Sequence, residues 1–253
     1  MASFLVTGAS RGLGLALVRQ LISLPATDVG QVFATARGDS RALEELENSS
    51  SGRVILVKLD VTNEASIKQA AAEVEAKLES KGLDVLINNA GVCHYAPDGV
   101  KSMDNLAESF TTNVLGVHWV TQAFLPLLRK GKVKKVANIA SYLASITQAR
   151  AAHYFPAPAY KISKAAMNAL TVQYAIDHEK EGFSFMAVCP GWMKTELGGG
   201  DAADLTPEEG AKASLDIILK PGREYNGKMP KILVRGWENA PGNNQYDGTI
   251  VPW

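Results

Sequence analysis

The stretch Ser3–Gly14, SFLVTGASRGLG, decides the fold of this 253-residue chain. SFLVT is rich in apolar, β-branched and aromatic residues and predicts a strand, whereas GLALVRQLISL, from Gly14 onward, has the apolar spacing of a helix. Glycines at a strand-to-helix turn let the backbone approach a ligand, and the helix N-terminus presents unpaired N–H groups to a pyrophosphate. A turn that merely tightens the connection is the alternative. The residues predicted to bind a dinucleotide at this turn are Gly8, Arg11, Gly12, Leu13 and Gly14.

The same alternation of strand and helix patterns continues to about residue 220. Further strands are predicted at QVFATA, RVILVKL, LDVLINN, KVANIA and FSFMAVC. Helices are predicted at residues 64–80, 103–130 and 159–181. Strict alternation implies right-handed βαβ crossovers, and the nearly continuous apolar strands are typical of a parallel sheet covered on both faces. We therefore predict a single α/β domain over residues 1–253, a doubly wound sheet with a turn-rich tail from about residue 221.

Composition excludes several classes of protein. The chain is 46% apolar and 21% charged, with 26 basic and 26 acidic residues, so its formal net charge of zero argues against nucleic-acid or anionic-membrane partners. The two cysteines are predicted to be buried free thiols, and the four histidines lack metal-ligand spacing, so no metal is expected. The start lacks a basic signal-peptide region, and no apolar run approaches the ~20 residues of a membrane span. We expect a cytoplasmic protein.

Several short motifs follow the glycine turn in a fixed order. Thr7–Gly14 reads TGxxxGxG, and it is followed by LDVT, NNAG, TNVLG, NIAS, YKISK and PGWMKT. In these motifs the chain resembles the short-chain dehydrogenase/reductase family over nearly its whole length. PGWMKTELGG, LTPEEGA and the ending DGTIVPW are most similar to the sniffer-like and C-factor-like carbonyl reductases, a branch that includes ketoreductases of fungal secondary metabolism.

The resemblance implies a Rossmann-type fold, a nicotinamide cofactor and a homo-oligomer, dimer or tetramer, built on the long fourth and fifth helices. It places the adenine on the LDVT motif, the ribose beside NNAG, and the nicotinamide beside the PGWMKT segment. Trp192 is expected to face the nicotinamide or the substrate. The further cofactor-binding residues that the resemblance implies are Asp60, Val61, Asn88, Ala90, Gly91, Tyr160, Lys164, Met193 and Thr195.

The residues after the second strand indicate which nicotinamide cofactor binds. Ala36 stands where an NAD-binding member of the family has an acid, and Arg37 follows it. Arg11 could reach the same 2′-phosphate, because guanidinium groups suit phosphate oxygens. Solvated surface charge is the alternative for either arginine, and Asp39 could turn toward a ribose. We predict a preference for NADP(H).

Hydride transfer to a carbonyl builds negative charge on its oxygen, so the site needs a proton donor there. Tyr160 has Lys164 one helical turn later, and a nearby ammonium lowers the tyrosine pKa from about 10. The resemblance also has Lys164 hold the ribose hydroxyls and has Asn113 anchor a water that relays protons. Ser141 is expected to orient the carbonyl, although it lies 19 residues before Tyr160, farther than the family's usual dozen or so. Ser145 is the alternative.

The intervening loop, TQARAAHYFPAPA, contains Tyr154, which is expected to shape substrate choice. His94 follows NNAGVC and either lines the entrance of the substrate pocket or has no catalytic or binding role. Together these residues predict an NADPH-dependent oxidoreductase acting on a small-molecule ketone or aldehyde. A non-catalytic NADP(H)-binding regulator and a methyltransferase remain as alternatives, although neither would need all of Asn113, Ser141, Tyr160 and Lys164.

Overall fold

Six parallel strands form the centre of the protein. The structure is a computed structural model that describes residues 1–241 and 244–253. The strands are β1 (Ala2–Val6), β2 (Val29–Ala36), β3 (Val54–Lys58), β4 (Val85–Asn88), β5 (Lys135–Ile139) and β6 (Ser184–Val188). Their order in the sheet is β3-β2-β1-β4-β5-β6, and every neighbouring pair is parallel. This order reverses between β1 and β4, as in a doubly wound fold, so the predicted fold class is confirmed.

Helices cover both faces of this sheet. They are α1 (Gly12–Ser23), α2 (Arg41–Ser49), α3 (Glu64–Leu78), α4 (Leu106–Phe110), α5 (Gly116–Lys130), α6 (Pro158–Asp177) and α7 (Pro207–Ile218). Alternate strand residues point to opposite faces, so Phe4 and Val6 pack with α1 and α7, whereas Leu5 packs with α3 and α5. Both faces are buried, which explains the nearly continuous apolar strands.

The helix predicted over residues 103–130 is interrupted. It begins at Leu106, and a π-helical turn at Thr111–Leu115 separates α4 from α5. At this turn the buried Asn113 bonds both backbone groups of Val92: its Oδ1 accepts from Val92 N and its Nδ2 donates to Val92 O, each at 2.9 Å. The apolar pattern does not reveal this turn, because a single π turn shifts the pattern by only one residue.

The C-terminal tail returns to the edge of the sheet. Cys189 N donates to Pro230 O at 2.9 Å and Ile232 N donates to Cys189 O at 3.1 Å, which extends the pairing beyond β6. Farther along, Val234 N donates to Tyr246 O at 2.9 Å. The tail is thereby placed beside the carboxyl ends of the strands. In the described residues, 1–241 and 244–253, no helix is long and apolar enough to cross a membrane.

Candidate active site

A cleft of about 1120 Å³ opens at the carboxyl ends of the strands. Doubly wound sheets bind ligands at this edge, where the strand order reverses. The first turn and the ends of β2, β3 and β4 line one half of the cleft. The end of β5, the start of α6, residues 189–198 and the tail line the other half. The fold therefore brings motifs that are far apart in the sequence together in one cleft.

The glycine turn is shaped for close approach of a ligand. Gly8 and Gly12 have φ of 64° and 54°, in the left-handed region. A Cβ at Gly14 would lie 2.3 Å from Gly8 O and 2.5 Å from Asn89 Nδ2, so only glycine fits. Arg11 is the N-cap of α1, and the first residues of that helix line the cleft, which places the positive end of the helix dipole there. This cradle fits a dinucleotide pyrophosphate.

The second asparagine of NNAG, rather than the first, faces the turn. Asn89 Nδ2 donates to Thr7 O at 2.9 Å and to Gly8 O at 3.1 Å, and Thr7 Oγ1 accepts from Asn89 N at 2.9 Å. Asn88, expected to contact the cofactor, is not among the residues that line the cleft. Its buried Nδ2 donates to Thr121 Oγ1 at 3.2 Å and to Asn138 Oδ1 at 2.8 Å, inside the protein. Successive strand residues point to opposite faces, and this alternation could have identified Asn89.

The predicted adenine and phosphate residues all line the cleft. Asp60 Oδ1 accepts from Thr62 N at 2.9 Å and from Thr62 Oγ1 at 2.7 Å. Burial tends to raise the pKa of Asp60, but the Thr62 hydrogen bonds and the charge of Arg37 outweigh it and leave the pKa lowered. Arg11 Nη1 lies 2.8 Å from Glu196 Oε2, and both side chains are mostly exposed. Arg11 and Arg37 both line the cleft, and Arg37 directly follows β2.

The remaining predicted cofactor residues lie along the same cleft. Thr195 Oγ1 accepts from Gly198 N at 3.0 Å, and a Cβ at Gly12 would lie 3.3 Å from Thr195 Cγ2. The PGWMKT segment and the glycine turn therefore meet across the cleft. The other predicted cofactor residues that line the cleft are Val61, Ala90, Gly91, Lys164 and Met193.

Tyr160, Lys164 and Ser141 meet at the centre of the cleft. Tyr160 and Lys164 stand one turn apart on α6 and are only 7% and 4% exposed. Lys164 Nζ donates to Ile139 O at 2.6 Å and lies 5.8 Å from the centre of the Tyr160 ring. The Ser141 side chain accepts from Leu143 N at 3.2 Å, and Ser141 lines the cleft together with Tyr160. The chain between Ser141 and α6 is turn-rich, and it accommodates the long spacing without separating these groups.

Burial shifts the pKa values of Tyr160 and Lys164 in opposite directions, and in each case it favours the neutral side chain. Burial raises the pKa of Tyr160, and the neighbouring Cys93 adds to this, while the nearby Ser141 hydroxyl opposes it. It lowers the pKa of Lys164 to about 8. The expectation that Lys164 would bring the pKa of Tyr160 below its ordinary value is wrong for this structure, because desolvation is the largest effect. Tyr160 is thus protonated, as a proton donor must be.

The alternative serine, Ser145, has a structural role. Its Oγ donates to Pro252 O at 2.5 Å and accepts from Gln148 N at 3.1 Å, so it anchors the end of the tail. Asn113 is fully buried, and its Nδ2 also donates to Ser163 Oγ at 3.0 Å. The amide of Asn113 thereby fixes the chain after NNAG to α6. That Asn113 also anchors a water that relays protons stays a prediction.

Aromatic side chains enclose the substrate end of the cleft. Tyr154 is 49% exposed, and the adjacent Phe155 ring lies 5.3 Å from the ring of Tyr95. Trp192 Nε1 donates to Gly198 O at 2.6 Å. The sequence did not identify three further residues that line this end, namely Tyr142, Cys93 and Tyr246. Cys93 directly follows NNAGV, a signal that could have placed it in the cleft.

Both cysteines are free thiols, as predicted; Cys189 is buried as expected, whereas Cys93 is only half-buried. Burial raises the pKa of each to about 11. His94 Nε2 lies 3.3 Å from Glu108 Oε2, and Glu108 lines the cleft. His94 is thus adjacent to the cleft, because its ring contacts Glu108, which lines the cleft.

Within the described part of the chain, no cluster of three or more potential metal-ligating side chains occurs.

Two solved structures are similar to this chain over its whole length. It is similar to the NADPH-bound carbonyl reductase from chicken fatty liver, with 32% identity, a TM-score of 0.84, and coverage of 100% of this chain and 94% of that one. It is also similar to the carbonyl reductase Sniffer of D. melanogaster, with 29% identity, a TM-score of 0.86 and full coverage of both chains.

Sequence relatives agree with these structures. Short-chain dehydrogenase anuI of Penicillium roqueforti is 34% identical over 237 residues, which cover 89% of this chain and 92% of that protein. Short-chain dehydrogenase/reductase AacuF of Aspergillus aculeatus is 39% identical over 222 residues, covering 83% and 78% respectively. The family model described as short chain dehydrogenase matches residues 3–205. The chain belongs to the short-chain dehydrogenase family.

Proposed function

We propose that this protein is an NADPH-dependent carbonyl reductase that converts a ketone or aldehyde to the alcohol. One observation carries the proposal: Ser141, Tyr160 and Lys164 meet in the cleft that the glycine turn enters. The turn fits a dinucleotide, and the three side chains supply what a carbonyl oxygen needs as it gains charge. The family's solved relatives include a carbonyl reductase with NADPH bound, which supports the same assignment.

The bound cofactor would supply a hydride to the carbonyl carbon. The hydroxyls of Ser141 and Tyr160 would donate hydrogen bonds to the carbonyl oxygen, and the proton would pass from Tyr160 Oη to that oxygen. One such donor contributes about 3 to 4 kcal/mol of transition-state stabilisation in other enzymes. Because the pKa of Lys164 is about 8, its ammonium would be a proton source for Tyr160 near neutral pH, through the relay water that the resemblance assigns to Asn113.

The preference for NADPH over NADH rests on Arg37 and Arg11. Both line the cleft, and Ala36 stands where an NAD-binding member of the family has its acid. Asp39 also lines the cleft, as the nearest carboxylate after Arg37 along the chain. Arg37→Asp should shift the ratio of kcat/KM values toward NADH. Equal kcat/KM for the two cofactors in the wild type would contradict the proposed preference.

The decisive experiment compares Tyr160→Phe with wild type on a panel of ketones, aldehydes and quinones. We expect NADPH oxidation to be lost in the variant while NADPH binding, measured by fluorescence titration, is retained. Tyr225→Phe, which removes a hydroxyl outside the cleft, is the matched control. Wild-type turnover in Tyr160→Phe would contradict the assignment of the proton donor. A wild type that binds NADPH but reduces nothing would favour the regulator instead.

We also propose that the protein acts in the cytoplasm as a homodimer or tetramer. Leu115, at the start of α5, and Ile162, on α6, are large apolar side chains that are each 41% exposed. These helices correspond to the predicted fourth and fifth helices, 103–130 and 159–181, on which the resemblance places the contact between subunits. Two free thiols suit a reducing compartment. Light scattering during gel filtration would give the oligomeric state, and a monomer would contradict this proposal.

A further inference from the structure

The C-terminal tail contributes one side chain to the substrate end of the cleft. Tyr246 lines the cleft, yet it is only 4% exposed. Its ring lies 5.6 Å from the ring of Trp237, and its backbone is bonded on both sides, with Tyr246 N donating to Trp237 O at 3.1 Å and its O accepting from Val234 N. The ring is therefore held in place by the tail itself.

The hydroxyl of Tyr246 joins two ends of the segment 191–205, which we call the strap. It donates to Asp204 Oδ2 at 2.5 Å and accepts from Trp192 N at 3.2 Å. Within the strap, Asp204 N donates to Trp192 O at 3.2 Å and Leu205 N donates to Trp192 O at 3.0 Å. The strap is thus a closed loop, and one phenol from the tail bonds both of its ends.

The backbone of the strap is shaped to receive this phenol. Gly191 has φ of 81°, and a Cβ there would lie 3.2 Å from Tyr246 Cε1 and 2.9 Å from a methyl carbon of Ile232. Burial and the Asp204 carboxylate both raise the pKa of Tyr246, so the hydroxyl keeps its proton and remains a donor. The contact is consequently maintained over the pH range in which a reductase works.

We propose that Tyr246 and Asp204 are positioning residues that hold the strap, and with it Trp192, against the substrate end of the cleft. This inference rests on the proposed function. The two residues act through Trp192, Met193 and Thr195, which line the cleft directly. Loosening the strap should therefore weaken substrate binding more than it slows the chemical step, because Ser141, Tyr160 and Lys164 are held by β5 and α6 instead.

The test uses Tyr246→Phe and Asp204→Ala in the full-length enzyme. Each should raise KM for the carbonyl substrate about tenfold, the effect of losing one or two hydrogen bonds, while kcat falls by less than about twofold. The double variant should be no worse than the more impaired single variant, because both substitutions break the same contact. Hydrogen exchange should accelerate at the Trp192 amide. Thr147→Val, which removes a hydrogen bond to Trp253 O at the other end of the tail, is the control and should leave KM unchanged.

Unchanged KM in Tyr246→Phe, or multiplicative effects in the double variant, would overturn the inference. The inference would also fail if Tyr246→Phe accelerated hydrogen exchange throughout the tail and Thr147→Val did the same. That result would show that Tyr246 only anchors the tail. The proposed function fails separately, if the wild type reduces no carbonyl compound. In that case the exchange rate of the Trp192 amide still decides whether Tyr246 holds the strap, and Asp204→Ala gives that answer should Tyr246→Phe fold poorly.

Discussion

Replacing Lys164 with methionine should change how the stability of the protein depends on pH. The lysine is only 4% exposed, and its ammonium has one close oxygen partner, Ile139 O at 2.6 Å. Burial lowers its pKa from the ordinary 10.5 to about 8. The charged form is therefore costly in the folded protein, and methionine, of similar length, removes that cost while filling the same space.

The size and sign of the effect follow from this shift. The unfolded chain binds the Lys164 proton more tightly than the folded chain, so stability rises with pH between about 8 and 10.5. Each pKa unit corresponds to ~1.4 kcal/mol, so the full effect is about 3 kcal/mol, most of it gained between about pH 7 and pH 10. Lys164→Met should thus be more stable than wild type at pH 7, by a margin that shrinks by about 2 to 3 kcal/mol toward pH 10.

Urea unfolding of the cofactor-free protein at several pH values measures this margin. Cysteines and tyrosines also titrate in this range, so the difference between variant and wild type is the quantity to follow. Lys68→Met, which removes one exposed lysine of α3, is the control for the loss of a lysine. A margin for Lys164→Met that stays constant from pH 7 to pH 10 would refute the reasoning that burial sets the charge state of Lys164.

Three further predictions concern the cleft. Gly14→Ala should raise the Kd for NADPH at least about tenfold in calorimetry, because the added Cβ would displace the turn; an affinity within twofold of wild type would contradict it. Glu196→Gln should lower the Kd for NADPH, but not for NADH, by up to about fivefold in low salt, because the carboxylate no longer competes for Arg11. An equal gain with NADH would show that Arg11 does not read the 2′-phosphate. Tyr154→Leu should change the order of kcat/KM values across a carbonyl panel, because this half-exposed ring lines the substrate end. Loss of activity toward every compound would mean that Tyr154 takes part in the chemistry.

Local patterns in the sequence were sufficient for the fold and for part of the site. Alternating strands and helices fix a parallel sheet, because a crossover helix is the short way to bring two strands into parallel register. Tyr160 and Lys164 share one face of α6 through their spacing alone. The glycine turn is likewise predictable from local sequence, because its closely spaced glycines stand between a strand pattern and a helix pattern.

Long-range contacts decided the rest. The choice between Ser141 and Ser145 depends on the path of the chain between β5 and α6 and on the position of the tail. Ser145 Oγ donates a hydrogen bond to Pro252 O in the tail. The choice of Asn89 over Asn88 depends on which face of β4 meets the first turn.

The sequence by itself thus determined the sheet, the glycine turn and the α6 pair, whereas tertiary structure decided the charge state of that pair and the contribution of the tail. The pKa of Lys164 is set by desolvation, which arises only when distant segments close around it. Tyr246 reaches Trp192 from 54 residues away along the chain. Contacts across such separations depend on how the elements pack, and short-range periodicity carries no information about them.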